Sequence, residues 1–285
     1  MSLVTVTELL KKADEGNYAV GAFNVNNMEI IQALVESATE QSSPLILQAS
    51  QGAIKYAGID YIVGLVQTAA KKTDIPIALH LDHGTSFDQN MLCIRKGFSS
   101  VMYDGSEEPL EENIKKTAEV VRIAHAVGVS VEGELGRIAG TEDNINVEEE
   151  DAFLTDPDEA KTFVKETGVD ALAVAIGTAH GPYKDKEPKL DFERLEKIKN
   201  LTNTPIVLHG ASGVPDESIK KAIDLGVRKI NIDTNIRQAF TKGVRELLSE
   251  KPDEYDPRKI LRPAKEEMKE VIKEKIRLFG CAGKA

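Results

Sequence analysis

Residues 205–232 read Pro-Ile-Val-Leu-His-Gly-Ala-Ser-Gly-Val-Pro-Asp-Glu-Ser-Ile-Lys-Lys-Ala-Ile-Asp-Leu-Gly-Val-Arg-Lys-Ile-Asn-Ile. This stretch is one βαβ unit. Pro205 to His209 is a short apolar run bounded by turn signals, as expected of a buried strand. A Gly-rich turn follows. Pro215 then opens a helix that runs to Leu225, with Gly226 just past its end. Val227 to Ile232 is the next apolar run. Parallel strands need a crossover of this kind to lie side by side.

The same unit recurs along the chain. Apolar runs stand at 18–23, 44–50, 76–81, 100–103, 129–134, 170–177, 205–209 and 227–232. Helical spacing fills 27–41, 59–72, 86–96, 110–127, 158–167, 192–200, 215–225 and 234–249. Pro44, Pro76 and Pro205 begin strands; Gly97, Gly128, Gly168 and Gly226 close helices. Strands alternating with helices predict a parallel sheet. Eight units predict a (β/α)8 TIM barrel rather than a doubly wound sheet, which typically has about five or six strands and a glycine fingerprint. A further helix over 263–278 trails behind. The expectation is a single TIM-barrel domain over 1–285, with an extra charged, helical C-terminal segment at about 252–285.

Composition removes several classes of function. Against 36 Lys and Arg stand 47 Asp and Glu, a net charge of −11, which disfavours nucleic acid as a partner. No run approaches the roughly 18 apolar residues of a membrane span, and the N-terminus has no signal-peptide pattern. Two Cys cannot staple a chain of 285 residues, so a cytoplasmic location is expected, and neither Cys93 nor Cys281 has an evident role. The P-loop, dinucleotide and zinc-protease signatures are all absent.

A barrel carries its active site at the C-terminal ends of its strands. Three of the chain's five His fall there, on three different units: His83, His180 and His209. Three ligands with an open fourth position is the common arrangement of catalytic zinc. His80, inside a strand, and His125, inside a helix, read as structural. Carboxylates share the rim: Asp82 beside His83, Asp104 after the fourth strand and Glu134 on the fifth. The turn Gly210-Ala211-Ser212 leads into a helix N-terminus, where backbone N–H groups and the helix dipole favour an anion. Asn231-Ile232-Asp233-Thr234 continues that pocket, and Gly181-Pro182-Tyr183-Lys184, after the sixth strand, adds a cation nearby. Alternatively the turn is an ordinary βα loop; an RNA clamp is disfavoured by the acidic chain. Metal, phosphate site and carboxylates together suggest carbonyl chemistry on a sugar phosphate, with Asp82 and the loop residue Glu142 as acid/base candidates.

These segments, in order, resemble the class II, zinc-dependent fructose-bisphosphate and tagatose-bisphosphate aldolases. The matching stretches are 18–24, 80–84, 131–136, 176–181, 208–213 and 229–234, with Asp256-Pro257-Arg258 near the end. The resemblance implies that His83, His180 and His209 bind zinc, and that Asp104 and Glu134 form a second divalent-metal site or an alternative resting place for the zinc. It gives Asp82 the proton on the C4 oxygen, Glu142 the proton at C3, and Asn231 the stabilisation of the enediolate. Gly181, Gly210 to Ser212 and Asn231 to Thr234 would hold the dihydroxyacetone phosphate end, with Lys184 assisting and Asn24 and Ser50 lining the aldehyde or metal side. A monovalent cation, Na+ or K+, would sit near the phosphate. Asp233 matches the fructose branch, so fructose 1,6-bisphosphate is the expected substrate and tagatose 1,6-bisphosphate the alternative. A phosphosugar epimerase and a non-catalytic phosphosugar-binding barrel are the rivals. The resemblance further implies a homodimer, with a tetramer open, and a basic residue reaching the partner; Arg258 and Arg277 are the candidates. Lys265, Glu266, Lys269, Glu270, Lys273 and Glu274 read as a solvated face.

Overall fold

A computed structural model describes residues 3–142, 145–148, 152–181, 183 and 188–285. Its strands are β1 (Val20–Asn24), β2 (Leu45–Ser50), β3 (Ile77–Gly84), β4 (Ser100–Tyr103), β5 (Ser130–Leu135), β6 (Ala139–Glu142), β7 (Ile145–Val147), β8 (Ala171–Val174), β9 (Ala179–His180), β10 (Ile206–Leu208) and β11 (Val227–Ile232). Its helices are α1 (Val6–Gly16), α2 (Met28–Glu40), α3 (Gln51–Ala57), α4 (Ile59–Ala70), α5 (Phe87–Lys96), α6 (Leu110–Ala126), α7 (Pro157–Thr167), α8 (Phe192–Thr202), α9 (Asp216–Asp224), α10 (Thr234–Glu250) and α11 (Pro257–Leu278).

Eight of the strands close a barrel in the order β1-β11-β10-β8-β5-β4-β3-β2, every pairing parallel. These are the eight expected runs, within a few residues. The helices begin where the sequence offers caps. Asn27 accepts from Ile30 N–H, Ser86 from Gln89 N–H, and Asp156 caps α7 with Pro157 behind it. Gly97 and Gly168 end α5 and α7 in the left-handed conformation.

Elements beyond the expected set have local causes. Helix α1 carries a capping box, Thr5 with Glu8, and buries Val6, Leu9, Leu10 and Ala13. Helix α3 is capped by Ser50. Strands β7, β6 and β9 form a small separate sheet in that order, where the sequence suggested only loops.

The C-terminal segment differs from expectation in two ways. Helix α11 starts at Pro257, capped by Asp256, so Pro263 lies inside it rather than at its head. Nor is its lysine row a solvated face. Lys265 lies 2.6 Å from Glu36, and Lys269 and Lys273 lie 2.8 and 2.7 Å from Glu40, tying α11 to α2. Met268, Ile272 and Ile276, in the adjoining row of the helix, are buried. The charges alternate at helical spacing, and the helix has acidic and apolar neighbours to spend them on.

Helix α10 crosses α11 at Gly243. A Cβ there would stand 2.6 Å from the Ala264 Cα and 2.7 Å from its N, both backbone atoms with little freedom to move. Gly243→Ala should therefore destabilise the protein by about 1–3 kcal/mol, read as a lower urea midpoint with an unchanged slope.

Candidate active site

Side chains alternate along a strand, so residues two apart share a face. Asn24, Gln48, Asp82 and Asn231 all face the barrel interior and meet there. Asp82 is fully buried. Its Oδ2 accepts from the amides of Asn24 and Gln48 at 3.0 Å each, and its Oδ1 from Asn231 at 3.2 Å. Three amides from three strands thus hold one carboxylate. Lys229, two residues before Asn231, donates to Asn231 Oδ1 at 2.9 Å. Its ammonium also lies 2.9 Å from Glu132 Oε2.

His83 follows Asp82 directly, and strict alternation would send it outward. The backbone avoids this. His83 takes φ 48°, in the left-handed region, and the β3–β4 register shifts between Leu81 and Gly84. A non-glycine residue there costs roughly 1–2 kcal/mol, and such strain tends to gather at functional sites. Its Nδ1 is bonded to Asp104 at 2.7 Å, and Asp104 Oδ1 is held in turn by Ser106. Burial pushes the Asp104 carboxyl up, but the His83 and Ser106 hydrogen bonds outweigh it and bring it down to about 2.

His209 follows β10. Its Nε2 is bonded to Glu132 at 2.8 Å and its Nδ1 lies 3.0 Å from His83 Nε2. Burial lowers the His209 imidazole below its ordinary value, in keeping with a neutral ligand. Burial also pushes the Glu132 carboxyl up, but Lys229 and the His209 hydrogen bond hold it below the usual carboxylate range.

His180 is carried by β9, which pairs with β6 through Ala179↔Ala139 and His180↔Gly140. The Tyr183 hydroxyl accepts from Ala179 N–H at 2.7 Å and donates to the Gly210 carbonyl at 3.0 Å. It staples the His180 strand to the turn after β10. That turn passes so close that a Cβ on Gly210, at φ 64°, would sit 2.6 Å from the Ala179 carbonyl oxygen.

Ligand atoms of His83, His180 and His209 lie within 4.8 Å of one another, and so do those of His83, Asp104 and Glu134. Imidazoles and carboxylates are the donor set of zinc and related divalent ions. Glu134 Oε2 is buried without a hydrogen-bond partner. Burial, with the negative Asp104 beside it, pushes its carboxyl well above the usual range. A bound cation would relieve both conditions, so these residues fit a divalent metal.

The site opens into a cleft of about 700 Å3. Asn24, His180, Gly181, Gly210, Ser212, Asn231, Asp233 and Thr234 line it. Ser50, Ala211 and Ile232 are buried behind, with Ser50 capping α3. Glu142 ends β6, its backbone paired with Ile145, in the hairpin joined to His180. Its side chain and Lys184 lie outside the described residues. His80 is buried and bonded to Ser100 at 2.8 Å, while His125 is an exposed partner of Asp170. Cys93 and Cys281 are buried and unpaired, and burial pushes the Cys93 thiol up to about 12.

Sequence reasoning gave no role to Gln48, Glu132, Lys229 or Arg237. Arg237 grips Asp233 at 2.8 Å on both carboxylate oxygens. The first three carry a readable signal. Glu132 stands two residues before Glu134, Lys229 two before Asn231, and Gln48 two before Ser50, so each pair shares a strand face.

An eight-stranded parallel barrel with imidazoles and carboxylates gathered at its mouth defines the class: a barrel with a metal-type centre beside a glycine-containing turn that lines a cleft. The family described as Fructose-bisphosphate aldolase class-II matches residues 4–284. The chain belongs to the class II fructose-bisphosphate aldolase family. It is 50% identical to a fructose-bisphosphate aldolase of Thermus caldophilus, over 99% of this chain and 100% of that one. With the fructose-bisphosphate aldolase of Geobacillus stearothermophilus it shares 49% identity, over 100% and 99% of the two chains. Among solved structures it resembles the YdjI aldolase of Escherichia coli K12, with a TM-score of 0.87, 35% identity and 99% coverage of each chain.

A divalent ion binding only the folded centre should stabilise the protein by about 2.7 kcal/mol at a hundredfold its dissociation constant. Thermal melts of chelator-treated protein with and without added zinc read this directly. His209→Ala should abolish the shift.

Proposed function

We propose that the protein catalyses the reversible cleavage of fructose 1,6-bisphosphate to dihydroxyacetone phosphate and glyceraldehyde 3-phosphate. The observation that carries this reading is the convergence of His83, His180 and His209, with Asp82 directly before His83, beside a cleft lined by His180, Gly210 and Ser212. Full-length relatives at about half identity, named as fructose-bisphosphate aldolases, support it.

His83, His180 and His209 hold zinc, and Asp104 with Glu134 offers a second divalent site around His83. Bound zinc supplies a Lewis acid that polarises the substrate ketone. The chain's own residues do the rest. The phosphate next to the ketone rests on the turn Gly210, Ala211 and Ser212, on Gly181, and on the N-terminus of α10 at Asp233 and Thr234. That helix has no side-chain cap, which leaves its first N–H groups for an anion. Lys184 adds a cation, and Na+ or K+ beside the phosphate would offset its charge.

In cleavage Asp82 takes the proton of the C4 hydroxyl. The C3–C4 bonding pair passes to C3, and C4 leaves as the aldehyde of glyceraldehyde 3-phosphate. Charge spreading from C3 toward the C2 oxygen meets the Asn231 amide, one of whose N–H groups is used on Asp82. Glu142 then returns a proton to C3. Asn24 orients Asp82, and Ser50 supports the aldehyde side. No lysine Schiff base is formed.

Fructose and tagatose bisphosphates differ only at C4, and a polar group built to read one hydroxyl can separate them. Asp233 matches the fructose branch of the family, and that resemblance favours the fructose form. The working unit is a single barrel domain in a cytoplasmic homodimer, with Arg258 and Arg277, both exposed on α11, the candidates to reach the partner's site. Among the described residues no helix is long and apolar enough to cross a membrane.

Chelator should abolish cleavage of fructose 1,6-bisphosphate in a coupled triose phosphate assay, and zinc should restore it. Asp82→Ala should lower kcat by about 10²–10⁴-fold with the protein still folded. Markedly faster turnover of tagatose 1,6-bisphosphate would reverse the substrate assignment, and a borohydride-trapped adduct would sink the mechanism.

A further inference from the structure

Lys229 and Glu132 form an ion pair at the centre of the barrel, with their side chains 0% and 1% exposed. Replacing such a pair by apolar residues is often neutral or stabilising, so stability alone is a weak reason to keep it. Each partner has a second bond, and the two lead to different parts of the site. Glu132 spends its other oxygen on His209 Nε2 at 2.8 Å. That bond places a proton on Nε2 and leaves Nδ1 facing His83 Nε2, 3.0 Å away. Lys229 spends another N–H on Asn231 Oδ1 at 2.9 Å. That bond fixes which way the Asn231 amide is turned, with Nδ2 toward Asp82 Oδ1 at 3.2 Å.

We propose that the Lys229–Glu132 pair is a positioning device for both halves of the site: through Glu132 it selects the His209 nitrogen offered to the metal, and through Lys229 it aims the Asn231 amide at Asp82. Neither residue touches substrate. Partners of this kind, behind a metal-ligating imidazole, fix its tautomer and ring orientation. An ammonium has three donors and no acceptor, so an amide beside it turns its oxygen inward and its N–H groups outward. The strand period makes the device compact, since Lys229 and Asn231 are neighbours on one face of β11.

The test is the double variant Lys229→Met/Glu132→Leu, which removes both charges and leaves neither partner stranded. Because it leaves His209 Nε2 and Asn231 Oδ1 without these partners, the thermal midpoint should fall, with the variant still folded and unfolding cooperatively. The zinc dissociation constant, from competition with a chromophoric chelator and without substrate, should rise about 10–100-fold. At saturating zinc, kcat for the bisphosphate should fall at least tenfold with KM within about threefold, the pattern of an interaction made in the transition state. A folded double variant that keeps zinc affinity and kcat within about threefold of the wild type overturns the proposal, because the pair would then serve only to neutralise itself.

If the variant does not fold, nitrogen-15 histidine NMR of the zinc-loaded wild type decides. A proton on His209 Nε2 with metal on Nδ1 supports the device, and the reverse assignment overturns it. The kinetic arm rests on the aldolase reading, and the zinc arm does not. A wild type that binds zinc without cleaving the bisphosphate sinks that reading and leaves zinc affinity to decide this one. A wild type that binds no zinc overturns both.

Discussion

Closing eight parallel strands on themselves creates an interior that bulk water does not fill. Every polar side chain sent inward must then find its partner among the others sent inward, because an unpaired buried polar group costs about 1–3 kcal/mol and an unpaired charge more. In this barrel that constraint organises the whole upper half. The Lys229 ammonium pairs with the Glu132 carboxylate and bonds Asn231, and the Asp82 carboxylate gathers the amides of Asn24, Gln48 and Asn231 across the axis. They come from β1, β2, β3, β5 and β11, so the network also fixes the strands' relative heights.

The functional groups sit where that network meets solvent. His83 reaches the mouth only because its backbone leaves the regular strand conformation. His209 is oriented from below by Glu132. His180 is brought in from outside the barrel on a short strand stapled by Tyr183. Three different devices therefore converge on one point. The carboxylates Asp104 and Glu134 stand beside it, and Glu134 Oε2 is buried without a hydrogen-bond partner, which is the condition a cation relieves.

Most of the barrel was legible because its signals are local. Each strand is a short apolar run, and each helix has its own start and stop. What escaped the sequence depends on partners distant in the chain. The β7-β6-β9 sheet joins residues near 140 to residues near 180, and no local pattern announces that pairing. The α11 lysines looked solvent-facing because Glu36 and Glu40 lie more than 220 positions away. The rim residues were legible as polar groups at strand ends. The buried network beneath them was half legible: strand alternation puts Glu132 beside Glu134 and Lys229 beside Asn231, but it cannot say that the two strands reach each other across the barrel.

The account stands on three imidazoles meeting at one metal. Anomalous diffraction at the zinc edge from zinc-soaked crystals tests it most directly. The expected result is a strong peak about 2.0–2.1 Å from a ring nitrogen of each of His83, His180 and His209, with the His209 contact through Nδ1. A peak held by other residues, or no peak under conditions where zinc restores activity, would contradict it.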